Sequence, residues 1–233
     1  MEEIKFRPFG DSAVTTDLSK NNRDGRLITE QIEKRPFKGL IEIVPGFTTI
    51  TVYYDPFIVY QICNGESPFR FVEMKLRQII NEIDEKKIYS SREIMIPVCY
   101  GGDLGPDLEN VAKYHHLTKE EVINLHISKE YVVHMIGFAP GFPYLSGLSK
   151  KIATPRKDTP RTLIPEGSVG IGGEQTGIYP LESPGGWNLI GRTPLMLFNP
   201  NANIPSLLQA GDIIRFQPIT CKEFEELKEA ERN

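Results

Sequence analysis

Residues 168–193 read SVGIGGEQTGIYPLESPGGWNLIGRT, a run in which glycine and proline repeatedly interrupt short apolar segments. The pattern extends upstream, because 11 of the 20 glycines and 7 of the 18 prolines of the 233-residue chain lie between Gly137 and Arg192. Long helices do not tolerate this density, whereas short strands joined by tight turns do. The stretch therefore predicts a mostly β domain, whose strands we expect to close into a barrel.

The segment before this domain mixes strand and helix patterns. Turn signals at Gly10-Asp11 and Pro45-Gly46 each lie between two apolar runs of strand length. A helical pattern follows each pair, the first at 23–34 and the second from Ser67-Pro68, where serine suits the N-cap and proline the first turn. Strands followed by helices in this order predict a small sheet covered by helices.

A polar stretch at 85–92 lies between these two patterns and is expected to be a linker. We therefore predict a small α+β domain at 1–88 and a mostly β barrel domain at 92–233.

The barrel domain is also expected to contain three short helices. Two are predicted at 107–114 and 119–126, and Thr118 with Glu121 forms a T-x-x-E capping box at the second. A charged helix is predicted near the end of the chain, capped by Thr220 and Glu223. Strands are predicted at 93–98, 131–138, 168–172, 194–198 and 212–217.

Composition excludes several classes of protein. The net charge of −4 provides no basic field for nucleic acid or an anionic membrane. No apolar run approaches the roughly 18 residues of a membrane span, and the acidic N-terminus does not resemble a secretory signal. Cys63, Cys99 and Cys221 are odd in number and widely spaced, which predicts reduced thiols and a cytoplasmic protein.

The sequence motifs predict neither a nucleotide-binding loop nor a metal site on this chain. No G-x-x-x-x-G-K-[ST] occurs, and GIGGEQTG (170–177) does not fit G-x-G-x-x-G. His115 and His116 lie on a predicted polar helix without H-E-x-x-H spacing, so we expect no metal there. There is no G-x-S-x-G elbow either, and the catalytic residues remain unassigned.

Five segments carry a family resemblance that spans nearly the whole chain. Three long motifs resemble the allophanate hydrolase subunit 1 family, and two N-terminal segments are similar to it as well. The motifs are GFAPGFPYLSGL (137–148), TPRKDTPRTLIPEGSVGIGGEQTGIYP (154–180) and SPGGWNLIGRTPL (183–195), and the N-terminal segments are FRPFGDSAVTTDL (6–18) and IEIVPGFTTITVYYDP (41–56).

The resemblance implies a cyclophilin-like barrel and a protein that works with partners. One version of the family belongs to an ATP-dependent 5-oxoprolinase, in which it acts with PxpA-like and PxpC-like subunits to open 5-oxo-L-proline to L-glutamate. An unstrained lactam is a poor electrophile, so phosphorylation of the amide oxygen makes chemical sense there. The missing nucleotide motif then implies that a partner protein holds most of the ATP.

The resemblance leaves other functions open. Another version of the family is the regulator KipI, which inhibits a sporulation histidine kinase and is countered by a KipA-like antagonist. A part in a biotin-dependent urea or allophanate pathway is a third reading. Fold alone does not choose among them.

Eleven residues in and around the motifs are candidates for binding substrate or a partner. The arginines suit carboxylate or phosphate, although surface ion pairs are an equally good reading. The neutral donors and the aromatic residues could instead be structural, and a histidine on an apolar strand is more often a core residue than an acid or base. The candidates are His134, Phe138, Phe142, Tyr144, Arg156, Arg161, Gln175, Tyr179, Ser183, Trp187 and Arg192.

Trp187 is the only tryptophan and is flanked by glycines. We expect it to be part core and part wall of a site. Side chains alternate along a strand, so Trp187 and Arg192 would face opposite sides. We predict a bulge or turn at Gly191 that brings both to the same side.

Overall fold

The structure, a computed structural model, describes residues 4–19, 25–83 and 91–231. The chain divides into two compact units, residues 1–90 and 91–233. The predicted linker at 85–92 lies almost entirely outside the described residues, as do the first two residues of the helix expected at 23–34. None of the described helices is long and apolar enough to cross a membrane.

Within its described residues, the first unit has a four-stranded antiparallel sheet and three helices. Its strands pair in the order β1-β2-β4-β3, and one apolar core joins the sheet to the helices. The elements are β1 (Phe6–Pro8), β2 (Ala13–Asp17), α1 (Gly25–Lys34), β3 (Leu40–Pro45), β4 (Thr49–Tyr54), α2 (Pro56–Ile62) and α3 (Pro68–Asn81).

Both expected strand pairs are present, and α3 begins where its cap predicts. The Ser67 side chain accepts a hydrogen bond from the Arg70 N–H at 3.3 Å. Helix α2 was not predicted, because seven residues are too few to show a helical period. Its start has a clear signal, however, since Asp55 caps it by accepting from the N–H groups of Phe57 and Ile58.

The second unit is built around a closed barrel of seven strands, which confirms the expected barrel. The strand order is β10-β7-β6-β13-β5-β12-β9, and β8 and β11 form a separate two-stranded ribbon. The strands are β5 (Glu93–Tyr100), β6 (Tyr131–Ile136), β7 (Pro143–Ser146), β8 (Arg161–Ile164), β9 (Ser168–Gly172), β10 (Gln175–Ile178), β11 (Ser183–Gly185), β12 (Asn188–Arg192) and β13 (Ile213–Pro218).

In the described range 91–231, three α-helices accompany the barrel: α4 (Leu108–Tyr114), α5 (Lys119–Ile127) and α6 (Cys221–Glu231). The predicted capping boxes are present at both α5 and α6. The strand predicted at 194–198 was wrong. Only Phe198 makes an isolated bridge, to Ser206, and Pro194 has no N–H to donate to a ladder.

A buried histidine, His126, lies inside the barrel unit. Its Nδ1 lies 2.8 Å from the Tyr100 hydroxyl, and its Nε2 lies 3.0 Å from the Thr176 hydroxyl. Thr176 donates its only hydroxyl proton to the Gly170 carbonyl, so it must accept from Nε2–H. Nδ1 is then the acceptor for Tyr100, and the imidazole is neutral. Burial lowers the pKa of His126 to about 3.

Candidate functional site

An aromatic cluster lies at the centre of the candidate site. The Trp187 ring has its centroid 5.6 Å from that of Phe142, 6.3 Å from Tyr144 and 6.4 Å from Tyr179, all in edge-to-face orientation. This geometry is the one that aromatic quadrupoles favour. Trp187 is only 5% exposed. Its role as a core residue is therefore clear from packing alone.

Glycines form the surface on which the indole rests. A Cβ at Gly172 would lie 2.5 Å from the indole Nε1, and a Cβ at Gly177 would lie 3.0 Å from the ring. At Gly170 it would lie 3.1 Å from the Trp187 Cβ. Glycine is therefore favoured at these three positions of β9 and β10, because a side chain there would crowd Trp187.

The cationic neighbour of the indole is Arg156. Its guanidinium lies over the ring at 5.8 Å from the centroid, near the outer limit of about 6 Å for a cation–π contact. The backbone on both sides of it is held in place. The Asn188 side chain donates to the Pro155 carbonyl at 2.9 Å, and the Lys157 N–H donates to the Gly186 carbonyl at 2.7 Å.

A buried carboxylate, Asp107, anchors the loop that carries Arg156. Asp107 is 2% exposed, and both Lys157 and Arg161 contact it at 2.8 Å. The Leu189 N–H also donates to it at 2.8 Å. A buried charge requires such partners, because an unpaired one is strongly destabilising. The loop that carries Arg156 is therefore fixed to the barrel by one carboxylate.

Burial and these contacts shift two pKa values in opposite directions. Burial alone would raise the pKa of Asp107, but hydrogen bonds from Arg161, Lys157 and the Leu189 N–H outweigh it, so the pKa lies below its usual value. Burial raises the pKa of Tyr179, against the opposing effects of the Trp187 N–H and the Arg156 guanidinium. At neutral pH the site thus holds an ionised Asp107 and a neutral Tyr179.

Arg156 is the arginine of this site with an unmatched charge. Arg161 and Lys157 share the Asp107 carboxylate, whereas no acidic side chain in the described part of the chain pairs with Arg156. A guanidinium seated on an aromatic ring with an unmatched charge is suited to bind an anionic group.

Arg192 lies elsewhere, although the predicted bulge is present. The register of β12 against β9 shifts between Leu189 and Gly191. The Arg192 Nε donates to the Glu166 carbonyl at 2.6 Å, while Arg156 occupies the face of Trp187. Burial lowers the pKa of Arg192, and the negative charges of nearby glutamates partly oppose this shift. The structure therefore brings Arg156, and not Arg192, to the indole.

The remaining candidates are spread over the barrel. His134 lies on β6 and is exposed. The histidine of the barrel core is His126. Gln175 is half-buried at the start of β10. The Ser183 hydroxyl oxygen is buried and has no hydrogen-bond partner among the described residues.

Phe138 is the exposed end of the aromatic cluster. Its ring packs edge-on against Phe142 at 5.3 Å, yet the residue is 64% exposed. Its φ of 72° lies in the left-handed region, which is uncommon for a large side chain. Such strain persists where the surrounding structure imposes it, often at functional positions.

Sequence reasoning missed the residues that hold the site together. Asp107 and Lys157 are far from each other in the chain, and the sequence marks Asp107 only as the start of a helix. Asn188, which fixes the Pro155 carbonyl, follows Trp187 directly. The sequence marks Asn188 only by its position inside the motif at 183–195.

Comparison with known proteins finds one matching family and several similar relatives. The family described as Carboxyltransferase domain, subdomain C and D, matches residues 4–208. The chain is 54% identical to the B subunit of 5-oxoprolinase from Bacillus subtilis over 97% of both chains. It is 42% identical to the B subunit of 5-oxoprolinase from Haemophilus influenzae, covering 90% of this chain and 95% of that one.

A solved structure shows the same likeness. A conserved uncharacterized protein of Pyrococcus horikoshii is 40% identical with a TM-score of 0.55, and the match covers 94% of this chain and all of that one. The resemblance read from the sequence motifs is confirmed by these comparisons.

Proposed function

This chain belongs to the family of the carboxyltransferase domain, subdomain C and D, and from that membership we propose that it is the PxpB-type subunit of a 5-oxoprolinase. The single observation that carries the proposal is the 54% identity to the Bacillus subtilis relative over 97% of both chains. The enzyme hydrolyses 5-oxo-L-proline to L-glutamate with ATP, together with PxpA-like and PxpC-like subunits in the cytoplasm. The identity to enzyme subunits favours this function over a kinase inhibitor.

The proposed role of Arg156 is to bind the carboxylate of 5-oxoproline. That substrate is a small ring with one carboxylate, and the site offers one unmatched guanidinium beside an aromatic cluster. The carboxylate would take the hydrogen bonds of Arg156, and Phe138 and Tyr144 would pack against the methylene groups of the ring. Asp107 would keep the loop in place while the substrate binds and leaves.

ATP fits this site poorly, and we assign it to a partner protein of the complex. Lys157 and Arg161 are both held by Asp107, so the one guanidinium without an acidic partner among the described residues suits a single carboxylate or phosphate group, whereas a triphosphate with its metal ion needs several cations and oxygen ligands. The described residues include no group of three or more side chains suited to hold a metal ion. No step assigned to this chain passes through ATP.

Replacing Arg156 tests the carboxylate assignment. In the reconstituted complex, Arg156→Ala should raise KM for 5-oxoproline about 10- to 100-fold, equivalent to about 1.5–3 kcal/mol for a lost hydrogen-bonded charge. The KM for ATP should change little. Lys151→Ala, which removes an exposed cation of the same unit, is the matched control. An unchanged KM for 5-oxoproline in Arg156→Ala would remove the residue from the site.

Two features of the fold also belong to the proposal. We assign the barrel to the cyclophilin-like class, and we propose that residues 1–88 and 92–233 fold as independent domains. The different cores of the two compact units support this. Limited proteolysis should cut first near residues 85–92 and leave a folded barrel fragment, and a first cut within 137–193 would contradict it.

A further inference from the structure

Two cysteines far apart in the chain meet in the barrel unit. Cys99 lies on β5 and is 2% exposed, whereas Cys221 is the exposed first residue of α6. Both are free thiols, and their sulfur atoms are 3.1 Å apart. A disulfide bond measures about 2.05 Å, so the sulfurs need to approach by roughly 1 Å to form one.

Packed elements hold both sulfurs in place. Strand β13 runs parallel to β5 along its length and leads into α6 through Thr220. The helix is fixed by Phe224, which is 1% exposed, and by the capping box between Thr220 and Glu223. The short distance between the two thiols therefore results from the fold of the barrel and does not depend on a mobile tail.

The two thiols differ in their surroundings. Cys221 is open to solvent as the first residue of an eleven-residue helix. Burial, together with the hydrogen bond to Cys221, raises the pKa of Cys99 to about 12. An exposed attacking thiol beside a buried second thiol is the arrangement of many redox-sensitive sites.

We propose that Cys221 and Cys99 form a peroxide-sensitive modification site that closes as an intramolecular disulfide between α6 and β5. The Cys221 thiolate attacks a hydroperoxide, the O–O bond breaks, and Cys221 becomes a sulfenic acid while the other oxygen leaves as water or an alcohol. Cys99 sulfur then attacks the Cys221 sulfur, the S–S bond forms, and the hydroxide leaves with the Cys99 proton as water. Two thiols lose two electrons, and the peroxide gains them.

The third cysteine supplies an internal control. Cys63 is buried in the first unit, where its thiol donates to the carbonyls of Tyr60 and Glu66. It lies beside no second thiol in the described residues. It should therefore stay reduced under conditions that oxidise the other two.

The test is peroxide treatment of the purified full-length chain, followed by alkylation and mass spectrometry. In the wild type and in Cys63→Ser, a peptide pair joined through Cys99 and Cys221 should appear, with a loss of about 2 Da relative to the two thiols. Dithiothreitol should reverse it. In Cys99→Ser the cross-link should be absent, and dimedone should trap a sulfenic acid on Cys221.

Two results would overturn the proposal. One is a wild-type chain whose three thiols all remain open to alkylation after a treatment that oxidises glutathione in the same tube. The other is a disulfide found only between two chains through Cys221. If Cys99→Ser does not fold, the exposed-site variant Cys221→Ser serves instead. It should keep both remaining thiols reduced, and their oxidation would also count against the proposal.

Discussion

Acid should destabilise the barrel unit through His126. The neutral imidazole is buried and has both nitrogens hydrogen-bonded, and its folded pKa of about 3 lies below the ordinary value of 6.5. The unfolded state therefore takes up a proton first as the pH falls, and stability is lost between about pH 6.5 and pH 3. At pH 5 the loss is about 1.5 pH units times 1.36 kcal/mol, or about 2 kcal/mol.

Urea unfolding measures this effect directly. Trp187 is the only tryptophan and lies in the barrel unit, so its fluorescence reports on that unit alone. The free energy of unfolding should fall between about pH 7.5 and pH 5 by about 2 kcal/mol more in the wild type than in His126→Gln. The amide keeps a donor and an acceptor but does not titrate. Equal losses in the two proteins would show that His126 titrates normally, and the reasoning would be refuted.

Three further predictions concern the candidate site. Trp187→Ala should lower the free energy of unfolding by about 3–5 kcal/mol, measured by circular dichroism, because it leaves a cavity where the indole packs against Gly172; a loss below about 1 kcal/mol would contradict its packing. Asp107→Asn should lower the free energy of unfolding by about 2–3 kcal/mol. This is at the lower end for a broken buried ion pair, because the two cations that contact Asp107 are about 30% exposed. A melting temperature unchanged from the wild type would contradict the role of Asp107 as an anchor. Phe138→Ala should raise the KM of the reconstituted complex for 5-oxoproline about tenfold, because it removes the exposed ring that we place against the substrate, whereas the control Phe57→Ala, which is 80% exposed in the first unit, should not; equal effects would remove Phe138 from the substrate site.

The barrel could be predicted from sequence because its signal is local. Glycine and proline exclude long helices wherever they are dense, and the capping boxes at Thr118 and Thr220 mark helix starts within four residues. The same locality explains the error at 194–198. An apolar run looks like a strand, but the effect of Pro194 depends on whether a neighbouring strand needs its N–H.

The site could be predicted only in part, because the residues that contact one another in it are far apart in the sequence. Trp187 and the glycines stand out by composition, whereas Arg156 is one of three arginines that the sequence gives no way to rank. The pairing of Asp107 with Lys157 and Arg161 joins segments about fifty residues apart. Only the fold shows that this carboxylate holds Lys157 and Arg161, and that Arg156 has no acidic partner among the described residues.

Reconstitution of the enzyme tests the central claim most directly. This chain is mixed with purified PxpA-like and PxpC-like subunits, and formation of glutamate from 5-oxo-L-proline is followed with and without ATP. The Bacillus subtilis relative, at 54% identity, replaces this chain in a parallel reaction as the positive control. We predict that glutamate forms with ATP only when all three proteins are present. Turnover with the Bacillus subtilis relative and none with this chain would contradict the assignment.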